Sequence, residues 1–440
     1  MRSSSSHGAS VSSQQSDAFT EILLRGQVRY RLPSVSAAVY RGEETVWAEA
    51  IGVAEDGGPE PTPDTQYRIG SITKTFTAAA IMLLREEGKL ELDDELGRHV
   101  PEAQYGELTL RRLLAHSSGI QREPPGEVWE TLQFPRGQEL LDRLADAELV
   151  LGSGEHFHYS NLAYALLGEV VSRVSGRRFP DFVDEQLIGP LGLMRTTWRS
   201  ESPAALGYYV QPFARTIDPE PTLESEGVEA VGSLWSTPSD LCRWALHLAE
   251  LEPMHRVQVM NDHDGWTVGH GLGLQLLRSG DRVFFGHGGA MPGFLAMLLG
   301  RRKEGIGAAV LTNASTPSAA VEKVCLDLAE KALEVYEAEA EPWRPEQEPP
   351  AEIAELLGTW WEEGTPFVFW WEQGRLRARP EESNLQRHVS IFETDGADRY
   401  RVAEGRERGE LLRVVRARDG SIEKLYWATY PVTRAPTAFS

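Results

Sequence analysis

The first candidate site is a serine and a lysine three positions apart in the segment GSITK, residues 70–74. Positions i and i+3 lie on one face of a helix, so the Ser71 hydroxyl and the Lys74 amine can meet. A serine hydroxyl becomes a nucleophile when a neighbouring base takes its proton. The apolar run Thr73–Leu84 predicts a buried helix, and burial would lower the pKa of Lys74 enough to make it that base. The same spacing also fits a helix N-terminus with a solvated lysine.

The choice of lysine at this position favours the catalytic interpretation. The chain has only six lysines among its 44 basic residues, so arginine is its usual source of positive charge. Arginine does not lose its proton in proteins, whereas lysine does so when buried. A base at this helix must therefore be lysine, which is what Lys74 is.

The second candidate is Tyr159-Ser160-Asn161, between a glycine-containing loop and the helical run LAYALLGEVV. A tyrosine at such a turn can point into a cleft, and a pKa lowered by nearby positive charge would let it shuttle a proton. Asn161 could hydrogen-bond a substrate amide. The alternative is structural: Ser160 or Asn161 caps the helix and Tyr159 packs.

The third candidate is GHGGA, residues 286–290, directly after the strand-like run DRVFF. Gly288 and Gly289 would let a substrate lie against the backbone. The backbone N–H of Ala290 could then form part of an oxyanion hole, with His287 as a second donor. The same residues also fit a structural alternative, a glycine-rich strand end with a solvent-facing histidine.

The order of apolar patterns predicts two folded domains. Short strand-like runs at both ends of a helical middle region indicate a central antiparallel sheet flanked by helices, together with an all-helical region. Aromatic and alternating runs near the C-terminus predict a small all-β domain, a barrel or a sandwich. The predicted segments are a disordered tail at 1–18, a catalytic domain at 19–338, a Glu- and Pro-rich linker at 339–352 and the β-domain at 353–440.

Composition excludes several classes of protein. A formal net charge of −22 argues against binding to nucleic acid or to an anionic membrane surface. Only two cysteines occur, and the N-terminal letters lack the apolar core of a secretory signal. No stretch approaches the roughly 18 apolar residues of a spanning helix. We therefore expect a cytoplasmic protein. The His-x-His spacing at 156–158 could begin a metal site, but a surface loop is favoured and we expect no metal.

Taken together, the three motifs resemble the serine β-lactamase and penicillin-binding-protein superfamily, in its class C β-lactamase, DD-peptidase and esterase branch. The order is Ser-x-x-Lys, Tyr-x-Asn, His-Gly-Gly. The residues that flank the three motifs also resemble the superfamily, in YRIGSITKTFTAAAIMLL, HYSNLAYALLGEVV and GHGGAMPGF. Two further segments do so as well, LTLRRLLAHSSGI and VGSLWSTPSDLCRW. The resemblance covers about Phe19 to Ala338 and implies a β-lactamase-like fold.

The resemblance also implies roles for the first two motifs. Ser71 would be the nucleophile, Lys74 and Tyr159 its coupled base, and Asn161 a substrate contact. The second motif reads Tyr-Ser-Asn rather than Ser-Asp-Asn, which is typical of the class C-like branch.

In the third motif, the resemblance implies an oxyanion hole made by the N–H groups of Ser71 and Ala290, with Gly288 and Gly289 beside the substrate. His287 stands where members that process β-lactams have the lysine of Lys-Thr-Gly. A histidine is mostly neutral at pH 7 and holds a substrate carboxylate less firmly. The sequence therefore predicts a serine hydrolase for small esters, amides or peptides rather than an efficient β-lactamase.

The resemblance implies no metal and no organic cofactor, and it allows self-association through the C-terminal domain. Two alternatives stay open. Relatives of this fold can be catalytically weak binding or regulatory proteins, since fold does not prove function. The second alternative is a β-lactamase or a cell-wall DD-peptidase. The missing signal peptide argues against a DD-peptidase.

Overall fold

The structure is a computed structural model that describes residues 13–223, 226–315, 317–336, 344–345 and 347–438. The chain divides into two compact units, Met1–Glu337 and Ala338–Ser440. Within the described ranges, no helix is long and apolar enough to cross a membrane.

The first unit contains twelve strands and eleven helices among its described residues. The strands are β1 (Ser34–Arg41), β2 (Glu44–Gly52), β3 (Tyr67–Arg68), β4 (Tyr208–Val210), β5 (Ile217–Pro219), β6 (Trp235–Ser236), β7 (Val259–Met260), β8 (Val268–His270), β9 (Gln275–Ser279), β10 (Arg282–Met291), β11 (Phe294–Arg301) and β12 (Ile306–Thr312). The helices are α1 (Ser13–Tyr30), α2 (Thr73–Glu86), α3 (Leu96–His99), α4 (Leu110–Leu114), α5 (Val128–Thr131), α6 (Gly137–Arg143), α7 (Asn161–Ser175), α8 (Phe179–Val183), α9 (Glu229–Gly232), α10 (Pro238–Glu250) and α11 (Ser318–Val335).

Eight of these strands form one antiparallel sheet in the order β2-β1-β12-β11-β10-β9-β8-β7. Side chains of β1 and β12 alternate between its two faces, as the strand period of two requires. One face packs on α1 and α11 around Phe19, Val310 and Val324. The other face packs on α10 and the helical region around Ala38 and Leu311. The sheet therefore separates two cores, and the candidate residues lie on the side of the second.

Helix α2 is buried nearly all round, as its apolar sequence requires. Phe76 stacks on Trp244 of α10 with ring centroids 3.8 Å apart, and the indole N–H of Trp244 donates to Thr75 Oγ1 at 2.8 Å. This packing holds the start of α2, and therefore residues 70–74, in one place.

Strand β10 is paired on both sides only at Phe285 and Gly286. It pairs with β11 from Phe285 to Met291, but with β9 only from Arg282 to Gly286. Among the described strands, none pairs with the other edge of residues 287–291. This free edge faces the start of α2, and it carries the third sequence motif.

The second unit is an all-β domain that starts with the short helix α12 (Ala351–Ala354). Its strands are β13 (Gly358–Glu362), β14 (Thr365–Glu372), β15 (Arg375–Pro380), β16 (Ser390–Thr394), β17 (Arg399–Glu404), β18 (Leu411–Arg416), β19 (Ile422–Trp427) and β20 (Tyr430–Thr433). Each strand pairs antiparallel with the next, and β13 pairs with β20 to close the barrel. Trp360, Phe369, Phe392 and Trp427 fill its interior.

The predicted fold class is confirmed: a sheet flanked by helices, a helical region and a small all-β domain, which is a barrel rather than a sandwich. Two segment boundaries differ. Residues 1–12 of the predicted tail lie outside the described residues. Residues 13–18 belong to α1, which Phe19 anchors on the sheet. The predicted linker overlaps α12 at Ala351 and Glu352, where Pro350 precedes the helix.

Candidate active site

Ser71 lies in a single 3-10 turn, Gly70–Ile72, immediately before α2. Gly70 has φ = +51°, and a Cβ atom there would lie 2.6 Å from the backbone nitrogen of Ala290. Glycine is therefore required twice, for the backbone conformation and for the close approach of β10. This approach brings the N–H of Ala290 next to the turn that carries Ser71, as the predicted oxyanion hole demands.

Lys74 is fully buried one helical turn after Ser71. Its Nζ donates to Val231 O at 3.0 Å and lies 3.1 Å from Ser71 Oγ. Burial lowers the pKa of Lys74 well below its usual value, the negative charge of Glu123 raises it, and the positive charge of Arg122 lowers it. The structure thus places a lysine with a depressed pKa against the serine hydroxyl.

Tyr159 lies at the end of the loop before α7, with its ring centroid 5.0 Å from Lys74 Nζ. Burial raises the pKa of Tyr159 above its usual value, while a hydrogen bond to Ser71 and the charge of Arg122 lower it by less. The lowered pKa that the sequence suggested for Tyr159 is therefore wrong, because desolvation outweighs the nearby positive charge. At neutral pH this tyrosine is a phenol that can both donate and accept.

His116 holds the Tyr159 loop in place, a role that sequence reasoning missed. Its Nδ1 accepts the backbone N–H of Ser160 at 3.0 Å, and its ring stacks on Tyr159 with centroids 4.2 Å apart. Its backbone has φ = +54°, a conformation that histidine adopts more readily than most side chains. The signal for His116 in the sequence was its position in the segment LTLRRLLAHSSGI, which resembles the family.

Asn161 is the first residue of α7, and Ser160 is the N-cap that accepts the N–H of Ala163 at 3.0 Å. The Asn161 Nδ2 donates to Glu123 Oε1 at 2.7 Å. Asn161 Oδ1 and Glu123 Oε2 are both buried and have no hydrogen-bond partner among the described residues. The pair therefore presents two acceptors, and Glu123 is a site residue that no sequence pattern indicated.

His287 on β10 is buried beside Tyr159, with ring centroids 6.2 Å apart. Its Nδ1 lies 2.5 Å from Gly288 O, and since a carbonyl only accepts, Nδ1 carries the proton. Burial and the positive charge of Lys74 lower the pKa of His287 to about 4, so the ring is neutral at pH 7 and Nε2 keeps a lone pair. The donor role expected for His287 at the oxyanion hole is therefore wrong in this structure.

His270, at the end of β8, is a second buried imidazole near this motif. Its Nδ1 lies 2.7 Å from Asn261 Oδ1, and its ring stacks on Phe157 with centroids 4.2 Å apart. Burial, together with the charge of His287, lowers the pKa of His270 to about 3. The sequence gives no sign of His270, because no local pattern marks a lone histidine at a strand end.

One cavity of about 800 Å³ joins these groups. Its lining includes every predicted site residue except the more deeply buried Lys74: Ser71, Tyr159, Asn161, His287, Gly288, Gly289 and Ala290. Arg122, Glu123, Trp129, Phe134 and His270 add charged, aromatic and imidazole surface that the sequence did not predict. The structure therefore brings three distant motifs to one pocket.

Other predicted features lie outside this arrangement. In the described part of the chain, no group of three or more His, Cys, Asp or Glu residues is placed to hold a metal ion, at residues 156–158 or elsewhere. Cys242 and Cys325 are both buried and free.

Known proteins resemble the first unit in fold and in sequence. "Beta-lactamase-like protein 2" of Dictyostelium discoideum is 29% identical over 282 residues, which are 60% of this chain and 50% of that protein. The chain thus spans about half the length of this curated relative. A D-stereospecific amidohydrolase from Streptomyces sp. superposes with a TM-score of 0.61 at 27% identity, over 70% of this chain and 98% of the other.

An octameric penicillin-binding protein homologue from Pyrococcus abyssi covers more of the chain. It superposes with a TM-score of 0.63 over 95% of this chain and 99% of that one, and at 23% identity this likeness shows the fold alone. Residues 349–434 match a domain of unknown function, DUF7586. Residues 17–329, well over half of the sequence, match the Beta-lactamase family. The chain therefore belongs to the Beta-lactamase family.

Proposed function

We propose that the protein is a serine hydrolase that cleaves small amides or esters through an acyl-enzyme on Ser71. One observation carries the proposal: the Ser71 hydroxyl lies 3.1 Å from the amine of the buried Lys74. Burial lowers the pKa of that amine and so favours the neutral form, which can accept a proton. A nucleophile within hydrogen-bond reach of a base is the pattern of covalent catalysis.

In the proposed acylation, Ser71 Oγ attacks the substrate carbonyl carbon as its proton passes to Lys74. The oxyanion forms against the N–H groups of Ser71 and Ala290, which the Gly70 contact brings together. Collapse breaks the bond to the leaving nitrogen or oxygen, which departs with the proton. Water then attacks the acyl carbon, its proton returns through the same base, and Ser71 is released with the free acid.

Tyr159 serves as a proton relay in this proposal rather than as a resting base. Its raised pKa keeps the phenol protonated, and a phenol bonded to Ser71 can accept one proton as it passes on its own. Its ring also lies over Lys74 and stacks on His116, so its hydroxyl is held in one orientation. This orientation supports Tyr159 as the proton donor to the leaving group.

Buried acceptors in the cavity support a substrate whose acyl portion carries an α-ammonium group. Glu123 Oε2 and Asn161 Oδ1 are buried acceptors that line the same cavity as Ser71. Buried acceptors cost free energy until a donor fills them, and an ammonium group supplies three. Trp129 and Phe134, edge to face at 5.1 Å, add an apolar wall suited to a large side chain. Amino-acid amides and esters match this combination.

The test is a substrate panel with the purified full chain and its Ser71→Ala variant. The panel contains short-chain p-nitrophenyl esters, amides of D- and L-amino acids and the β-lactam nitrocefin. D-amino-acid amides are included because the Streptomyces relative is described as a D-stereospecific amidohydrolase. We expect turnover of esters or amides to exceed that of nitrocefin and to vanish in Ser71→Ala. Turnover of nitrocefin far above all others would contradict the proposal.

A cytoplasmic location and self-association also belong to the proposal. Two buried free cysteines suit a reducing compartment. The Pyrococcus homologue of the same fold is described as octameric, which supports assembly of this chain into an oligomer. Light scattering coupled to size-exclusion chromatography measures the mass directly, and a monomer at micromolar concentration would contradict the second point.

A further inference from the structure

Two unpartnered imidazole nitrogens line the cavity at the β8 and β10 end. His270 Nε2 and His287 Nε2 are buried, and neither has a hydrogen-bond partner among the residues that the structure describes. Both rings line the cavity that contains Ser71. The two lie close enough for a positive charge on His287 to lower the pKa of His270.

The hydrogen-bond partners of the two Nδ1 atoms determine whether each Nε2 donates or accepts. His287 Nδ1 must donate to Gly288 O, and His270 Nδ1 donates to Asn261 Oδ1. Each imidazole therefore holds its proton on Nδ1 and presents a lone pair at Nε2. Burial keeps both rings neutral at pH 7, which leaves this end of the cavity with acceptors.

A carboxylate at this end would face lone pairs instead of a cation. Within the described lining of the cavity, the one arginine is Arg122, and its Nε lies 3.4 Å from Glu123 Oε1. Lys74 lies behind Ser71, with Val231 O and the serine hydroxyl as its hydrogen-bond partners. A group with N–H donors and no charge would instead satisfy both histidines.

We propose that His270 and His287 form a leaving-group subsite that takes an uncharged, N–H-bearing group and rejects a free carboxylate. The inference rests on the proposed function and extends it by naming the chemical class of the leaving group. It makes His270 a specificity-determining residue. The protein would then release ammonia or an uncharged amine from amides, and would not remove a C-terminal amino acid that carries its carboxylate.

The test compares two size-matched substrates with the same acyl group. One is a dipeptide of D-amino acids with a free carboxylate, and the other is the same dipeptide with its C-terminus amidated. We expect wild-type kcat/KM to favour the amidated dipeptide by at least about 100-fold, because mismatched polar groups in a buried site discriminate by that factor or more. The ratio within one variant is insensitive to partial loss of folded protein.

Variants at both histidines test the assignment. We expect His270→Lys, and separately His287→Lys, to reduce the ratio at least about tenfold by supplying a cation. His270→Gln, which keeps an uncharged acceptor, should retain the ratio within about threefold. A wild-type ratio near one, or no change of the ratio in either lysine variant, would overturn the subsite.

The outcome also separates this inference from the proposed function. If a fluorophosphonate labels Ser71 and esters are cleaved, but neither dipeptide is, the subsite is overturned and the hydrolase stands. If Ser71 is not labelled and no substrate is cleaved, both are overturned.

Discussion

The amine of Lys74 lies 3.1 Å from Ser71 Oγ and 3.0 Å from the carbonyl oxygen of Val231. A carbonyl only accepts, so one N–H of the lysine is committed to Val231. In the neutral amine, the lone pair can then turn towards the Ser71 hydroxyl. One N–H of the amine thus bonds to Val231, and the lone pair is available to Ser71. Substitution of Lys74 can therefore test its role as a base.

Replacement of Lys74 by arginine separates a base from a positive charge. Arginine keeps the charge but cannot lose its proton, so we expect the acylation rate of Lys74→Arg to fall about 10²–10⁴-fold. This corresponds to roughly 3–5 kcal/mol in the activation free energy. Burst kinetics with an activated ester measure the rate, and circular dichroism verifies the fold.

Lys89→Arg is the matched control. Lys89 is half exposed and pairs with Glu87, so this variant should acylate at the wild-type rate. Retention of more than about a tenth of wild-type acylation by Lys74→Arg would contradict the base role.

The nucleophile can be identified by covalent labelling. A fluorophosphonate probe should modify the wild-type protein at Ser71, since this serine has a base within hydrogen-bond reach. Ser71→Ala should lose the label, and a change at an exposed serine, Ser200→Ala, should keep it. Mass spectrometry of the labelled peptide locates the probe. Full labelling of Ser71→Ala would show that another residue is the nucleophile.

The pH dependence of acylation should follow Lys74 and its charged neighbours. With an uncharged ester, kcat/KM should rise with pH as Lys74 loses its proton, with the midpoint well below the usual lysine pKa because burial lowers it. Glu123 raises this pKa and Arg122 lowers it. We therefore expect Glu123→Gln to move the midpoint to lower pH and Arg122→Gln to move it to higher pH. Shifts of the same sign in both variants would contradict Lys74 as the titrating group.

His116 is predicted to be a positioning residue, because its ring stacks on Tyr159 without lining the cavity. His116→Asn tolerates φ = +54° and can still accept the Ser160 N–H, but it removes the stacked ring. A displaced relay lowers the rate of chemistry more than substrate binding, so we expect kcat to fall about 10- to 100-fold with KM unchanged. Steady-state kinetics with an ester measure both. A rise in KM at constant kcat would indicate a binding role instead.

The sequence by itself predicted the proposed nucleophile and its neighbour. Ser71 and Lys74 are three residues apart, in a 3-10 turn that runs directly into α2, so their contact depends on a local spacing that the sequence shows. The same holds for the helical run after Asn161 and for the alternating strands of the barrel, whose hydrophobic patterns are local as well.

Only the tertiary structure decided which groups surround that pair. Glu123, His116 and His270 come from separate segments, and their partners depend on how loops pack, which no local period encodes. The same applies to protonation. Burial raised the pKa of Tyr159 where proximity to charge suggested a decrease, and the carbonyl of Gly288 selected the tautomer of His287. Desolvation and hydrogen-bond partners are properties of the folded environment, and they converted a predicted donor into an acceptor.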